Sequence, residues 1–410
     1  MSQEDLSLKN IRTQLDKAWQ NVWEHFYLPS TSLIYDFVFS QEHEHRFDCL
    51  PTAEEVRNQL PNPCGWGTGM EDSTINNGAM LALICDRYLV TGEKEMFEAA
   101  EKMYRGLKAC GTVHGVPGFV ARSICPEDGK SVYNNSSRDQ YTHYVHGLWK
   151  FYRSQLSTPE IKEEIRQLLS DVAYFMDKSV SPENDYCILM ANGKPGVVAC
   201  HMWSEEKETA IHRLSRLPMC YAGAYAVTGD RYFYDQCMKY LPSALEPQRQ
   251  MWMRPYVAYT LFQTVCALEV LLETMTEESE CCAKIRKVME DCSERSLYNN
   301  MQAFLNAERA SFSEPEGYKD WRVLKWLDEG GYMVPQQERS VWNNAQFERE
   351  CGEAILVQLM TPGYRLTELQ KHLFKEMVVK RSSIPYYSEN SHGKITLMAA
   401  FWKLLLHNQF

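Results

Sequence analysis

The chain has 410 residues, 44% of them hydrophobic and 24% charged, a mix that excludes a disordered or low-complexity polymer. A formal net charge of −11 excludes a nucleic-acid backbone as the main partner, because such sites need a basic field; it leaves room for an anionic sugar held by a few local arginines. No run of about 18 apolar residues occurs, so no membrane span is expected, and length alone does not separate several domains from one large repetitive domain.

In chain order, a polar start without an apolar h-region leads into an expected helix over Leu6–Tyr27. Leu33–Phe39 is the one segment that reads as extended. Next comes an apolar helix reaching Tyr88-Leu-Val-Thr-Gly-Glu93, followed by a more polar one from Lys94. The same pattern returns at Tyr225-Ala-Val-Thr-Gly-Asp230, followed by Arg231. In both, a glycine able to take positive φ ends an apolar helix, and a charged helix starts after a very short turn. This is a repeated αα-hairpin, and repetition at this level signals a solenoid or a closed array.

Weaker copies lie between and after them. Asp139–Gln155 precedes a start with Thr158 as N-cap and Pro159 at the first helical position. Tyr256–Met275 precedes Glu280–Leu305, Cys351–Met360 precedes Leu366–Lys380, and Leu6–Tyr27 and Ile395–His407 supply outer helices at the two ends. Five hairpins are thus expected, and the terminal helices supply a sixth. With no linker in view, residues 1–410 read as a single all-α domain.

First helices such as Gly78–Cys85 and Pro218–Tyr225 are apolar nearly all round, as the inner layer of a ring must be. The loops entering them are long, whereas the far turns are short, so one rim is the expected functional face. The 14 cysteines include an adjacent pair and no paired C-x₂-C zinc spacing. They read as reduced, buried thiols, which favours a cytoplasmic location; a periplasmic or secreted one follows if a leader peptide has been removed.

The rim loops carry the chemistry. Asn62–Gly78 brings Trp66, Glu71 and Asp72 to a helix start, with Asn76 and Asn77 on the apolar helix that follows. Carboxylates there are stabilised as caps, yet amides inside an apolar helix cost stability unless they are paired or used. Tyr133–His146 brings Arg138 and Asp139 to the next inner helix, with His143 one turn on. Further loops supply His201, Trp203, Glu205, Glu206 and Arg213, then Trp252 and Arg254, then Trp342, then His392. Acids, imidazoles, arginines and tryptophans thus recur at one structural position of successive repeats. Neither a metal nor an organic cofactor is expected.

The hairpin count and the acidic starts of Asp72 and Asp139 resemble the six-hairpin glycosidase superfamily, an (α/α)₆ toroid. Within it the chain is most similar to the unsaturated glucuronyl hydrolases and unsaturated rhamnogalacturonyl hydrolases. The resemblance implies a glycoside hydrolase acting on a uronic-acid-containing oligosaccharide. Asp72 and Asp139, one hairpin apart, would be its acid–base pair, although Glu71-Asp72 stands where those families have His-Asp. Glu71, Glu205 and Glu206 are the reserve acids. Arg138, Arg213 and Arg254 are the expected holders of a uronate carboxylate, and Trp66, Trp203 and Trp252 the stacking faces; Asn76, His143, His201, Trp342 and His392 complete the expected contacts. Two rivals remain open: a polysaccharide lyase on the same toroid, and a non-catalytic helical-repeat binding protein.

Overall fold

The computed structural model describes residues 6–40, 42–206, 209–246, 257–309, 319–328, 333–335, 339–381 and 390–410. Among the described residues the α-helices are α1 (Leu8–Asn21), α2 (Ala53–Arg57), α3 (Ser73–Thr91), α4 (Glu95–Thr112), α5 (Arg138–Arg153), α6 (Pro159–Ser179), α7 (Ile211–Leu214), α8 (Arg216–Thr228), α9 (Arg231–Ala244), α10 (Ala258–Thr274), α11 (Ser279–Arg309), α12 (Arg339–Met360), α13 (Glu368–Arg381) and α14 (Ser391–Leu406). No described helix is long and apolar enough to cross a membrane.

The repeated Val-Thr-Gly turns do what their sequence demands. Gly92 (φ 64°) and Gly229 (φ 71°) take the left-handed conformation and return their N–H to Tyr88 O and Tyr225 O, both at 2.8 Å, ending α3 and α8. Thr158 accepts from Ile161 N at 3.3 Å ahead of Pro159 and starts α6. Inner helices α3, α5, α8, α10, α12 and α14 are buried over most of their surface, and each packs on the next; α14 packs back on α3, which closes the ring. Their partners α4, α6, α9, α11 and α13 lie outside, and α1 packs against α14 to complete the sixth hairpin. The fold is an all-α (α/α)₆ toroid with one continuous core.

The inner helices α3 and α5 cross in close contact. A Cβ on Gly78 would stand 2.3 Å from His143 O, and one on Gly147 2.7 Å from Gly78 O, so the two backbones touch. This contact sets the starts of both helices side by side on one rim.

Four expectations change. Ile395–His407, expected as an outer helix, falls in α14 of the inner layer. Within Leu33–Phe39 only Leu33–Ile34 is a strand, paired antiparallel with Tyr27–Leu28; the chain then leaves the ladder so that Asp36 reaches the start of α3. A second small hairpin, Trp326–Asp328 with Met333–Pro335, was not expected at all. Trp342-Asn-Asn344, read as a loop, lies inside α12.

Candidate active site

The starts of α3, α5 and α14 meet at one rim, where Gln140 reaches Asp72 and His392 reaches Asn76. The loop before α3 is organised by Asn62, whose Oδ1 accepts from Cys64 N (3.2 Å) and Trp66 N (3.0 Å) and whose Nδ2 donates to Trp66 O (3.1 Å) and Met333 O (3.0 Å). Gly65 in this loop has φ 66°, and a Cβ there would run into the Tyr133 ring at 2.4 Å. The folded loop delivers Glu71 and Asp72 to a small, partly open cleft, lined among others by Asp36, Asn76, Arg349 and His392.

Asp72 occupies the N-cap position of α3, but its side chain makes no capping bond. Asp36, brought in from the distant extended segment, takes the backbone donors instead: its Oδ2 accepts from Glu71 N (2.8 Å) and Asp72 N (3.0 Å). The Asp72 carboxylate is thereby released to pair with Arg122 Nη2 (3.1 Å) and accept from Gln140 Nε2 (2.8 Å). Its side chain stays 30% exposed to the cleft. Beside it, Arg122 Nη1 and Gln140 Oε1 are buried with no partner among the described residues.

Three carboxyls therefore share one helix start, and they do not share it equally. Burial, then the negative charges of Asp72 and Glu71, push the Asp36 carboxyl well above the usual range. Burial and the neighbouring Asp72 push Glu71 up to about 8, against the opposing bond from Gly67 N. Glu71 thus favours its protonated form, next to an Asp72 side chain held by Arg122 and Gln140.

The two asparagines on α3 divide their labour. Asn77 is structural: it accepts from Ile34 N (2.9 Å) and donates to Ser32 O (2.8 Å) and Met103 O (3.2 Å). Asn76 faces the site, donating to Asp36 Oδ1 (3.0 Å) and accepting from His392 Nδ1 (3.1 Å). His392 Nε2 lies 3.2 Å from Glu353 Oε1, which also takes Arg349 Nε at 2.9 Å. The line Asp36–Asn76–His392–Glu353–Arg349 walls one side of the cleft. Burial, then Arg349, lowers the His392 pKa.

Asp139 sits in the first turn of α5, one helix away and outside the cleft lining. Around it lies a cationic sector. Arg138 Nε is 3.9 Å from Asp139 Oδ1, and Arg216, 1% exposed, donates to the Gln263 carbonyl. Burial lowers Arg216 to about 10, with Asp139 as the opposing influence that favours its charge. Burial, then Arg138, Arg216 and Arg213, drives His212 down to about 3. Arg213 and Arg216 make no ion pair with a carboxylate among the described residues, and both Nε atoms are buried without a hydrogen-bond partner there.

His143 lies a turn below the rim, 1% exposed, with both ring nitrogens unpartnered among the described residues and its ring centroid 6.0 Å from that of His392. Burial and the surrounding positive groups keep it uncharged. It makes no bond to Asp139.

Other expected residues stand elsewhere. Trp203 is 3% exposed, packed edge-on to Tyr240 at 4.8 Å, so it offers no face to a sugar. Glu205 accepts from Tyr186 Oη (3.1 Å) and Trp203 Nε1 (3.3 Å); neither it nor the exposed Glu206 lines the cleft. His201 pairs with Asp185 on the same outlying loop. Trp66 is half-buried and is not part of the cleft lining. Trp252, Arg254 and the Trp342 side chain lie outside the described residues.

Sequence reasoning missed Asp36, Arg122, Gln140, Arg349 and Glu353. The last two carried a signal: a charged i, i+4 pair next to the apolar run of an inner helix.

The chain matches no protein-family model, and no curated protein matches it. Its structure is similar to that of a sugar epimerase from a ruminal bacterium, at 11% identity over 96% of this chain and 98% of that one, with a TM-score of 0.51. What the two share is the fold. Weaker likenesses include cellobiose 2-epimerase from Bacillus thermoamylovorans B4167 (13% identity, 96% and 98% covered, TM-score 0.49). Another is a family 76 glycoside hydrolase, a mannosidase, from Bacteroides thetaiotaomicron VPI-5482 (10% identity, 97% and 98% covered, TM-score 0.49).

Proposed function

We propose that this chain is a carbohydrate-active enzyme, a glycoside hydrolase for oligosaccharides that carry a uronic acid. One observation carries the reading: Glu71, whose burial favours the protonated carboxyl, and Asp72, paired with Arg122, meet in one cleft, beside a sector of arginines with too few carboxylates. Cleavage of a glycosidic bond needs a proton for the leaving oxygen and a carboxylate to meet the oxocarbenium-like centre or to activate water. Two carboxyls in unlike surroundings supply both. Glu71 is the proton donor, and Asp72, oriented by Arg122 and Gln140, is the carboxylate. Asp139 serves the second sector, where Arg138, Arg213 and Arg216 suit a sugar carboxylate through forked contacts. The likeness of the ring to a sugar epimerase's agrees with a saccharide ligand.

The test is a screen of the purified protein against uronate-containing oligosaccharides, saturated and unsaturated, with separate Asp72→Asn and Asp139→Asn variants. Hydrolysis releases reducing sugar without new ultraviolet absorbance, whereas a lyase creates an absorbing 4,5-unsaturated product. Asp72→Asn is expected to lower kcat by about 10²–10⁴-fold, and Asp139→Asn to act mainly on KM. Full turnover in Asp72→Asn removes the mechanism.

A second reading has its own observation. His143 and His392 are two buried imidazoles with ring centroids 6.0 Å apart, both shifted toward the uncharged form, one with no partner among the described residues. Such a pair suits removal and return of a proton at a sugar carbon. Epimer formation with deuterium uptake from heavy water, and no chain cleavage, would favour it.

A further inference from the structure

The loop between α6 and α7 carries a cluster that neither reading uses. At its neck Cys187 and His201 face each other across an antiparallel bridge, and Ile188 N donates to Cys200 O at 2.9 Å. This brings Cys187 Sγ within 3.1 Å of Cys200 Sγ, and Cys200 Sγ within 3.9 Å of His201 Nδ1. The three ligand atoms all lie within 4.8 Å of one another.

We propose that Cys187, Cys200 and His201 form a binding site for a thiophilic divalent cation of the zinc type. Zinc bonds of about 2.3 Å to sulfur and about 2.0–2.1 Å to nitrogen place tetrahedral ligand atoms roughly 3.5–3.8 Å apart. The observed 3.1 and 3.9 Å reach those values by small side-chain rotations. A second feature comes from outside the trio. Asp185 Oδ2 accepts from His201 Nε2 at 3.0 Å, which leaves Nδ1 as the lone-pair nitrogen and turns it toward the sulfurs. A carboxylate behind a ligating imidazole is the usual way of fixing its tautomer and direction. The sulfurs are buried at 5% and 2% exposure, while His201 reaches solvent, so a fourth position stays open to water. Two thiolates balance the charge of the dication.

The site would also matter to the rim. Ala199 O accepts from Arg138 N (3.0 Å), and Asn135 holds Val197 N (2.8 Å) and Val198 O (3.2 Å). Clamping the neck thus fixes the backbone against which α5 begins.

The experiment uses the full chain, reduced, stripped with a chelator and desalted, then titrated with Co²⁺ alone. One cobalt per chain is expected, with a thiolate-to-cobalt charge-transfer band and tetrahedral d–d absorption, both displaced by Zn²⁺. Cys200→Ser should abolish the bands. His201→Ala, at the solvent edge where folding is not at risk, should weaken binding at least tenfold; Asp185→Asn should weaken it about tenfold through the imidazole. Circular dichroism confirms that each variant is folded. The proposal is overturned if no charge-transfer band forms, or if it persists unchanged in Cys200→Ser and His201→Ala. It is also overturned if the reduced protein binds nothing and mass spectrometry of the oxidised protein finds Cys187 and Cys200 joined as a simple disulfide.

Discussion

The two ends of the ring are built from the same inner helices, yet they treat buried charge in opposite ways. At the far end, Asp86 binds Lys150 Nζ (2.6 Å) and Lys403 Nζ (3.1 Å), and Glu269 binds His146 Nε2 (2.6 Å) with Lys403 at 3.9 Å. Burial opposes charge on Asp86 and Glu269, but the two ammonium groups outweigh it and hold both carboxyls below their usual range. Lys150 is correspondingly raised by Asp86 and Glu269. At the rim the shifts run the other way: Asp36 and Glu71 go up, Arg216 and His212 go down. Acids predominate in one sector, where Arg122 and Arg349 are their paired exceptions, and cations in the next. A network whose members stabilise one another's charges belongs to the architecture; one whose members destabilise them stores its imbalance for a ligand.

The contrast can be broken most forcefully at the far end. Asp86→Ala removes the shared partner of two ammonium groups, and the expected loss is about 3–5 kcal/mol of folding stability, read by urea unfolding. Turnover per folded molecule should not change, because the lesion lies at the opposite end from the cleft. A loss below about 1 kcal/mol would mean that these pairs are not the anchor described above.

pH sharpens the same contrast. In the unfolded chain Glu71 ionises near the ordinary carboxylate value of 4.5, whereas in the folded chain it holds its proton to about 8. Between those values the folded state binds more protons, so stability is greatest below the window and falls as pH rises through it. Glu71→Gln should flatten that decline, giving a gain on the order of a few kcal/mol relative to the parent at alkaline pH. Asp86, with its folded value depressed, has the reverse sign: its contribution is present above the ordinary range and fades as pH falls through the lowered value. Thermal unfolding at a series of pH values checks both slopes. A Glu71→Gln profile parallel to the parent's would show that Glu71 is not held protonated.

Much of the ring was legible because its cause is local. A glycine after Val-Thr ends a helix wherever it falls, and a threonine before proline starts one. The cleft was legible only where its residues sit at helix starts, as Glu71, Asp72 and Asn76 do. Asp36 escaped because its role depends on a contact with α3 that no spacing encodes, and it lies in a segment whose apolar neighbours read as a strand. Arg122 lies in the α4–α5 loop and reaches Asp72 only through tertiary folding. Trp203 misled for the converse reason: an indole in a loop looks free in sequence, while here it fills the space under that loop.

The smallest effect tests the cationic sector. Arg213 is partly buried, and burial lowers its pKa, with Arg138 adding repulsion and Glu206 only partial relief. Arg213→Met keeps much of the side-chain volume and removes that repulsion, so folding stability should change little. A uronate carboxylate would lose one charged partner, and hydrogen bonds to charged groups are worth about 1.5–3 kcal/mol. Screening and the remaining Arg138 and Arg216 reduce the net loss to roughly tenfold in KM for an acidic oligosaccharide. A neutral analogue of the same length should bind the variant and the parent alike. Equal weakening for both ligands would place Arg213 in the scaffold with the far-end pairs, and the division of the rim into an acid sector and an anion-holding sector would fall.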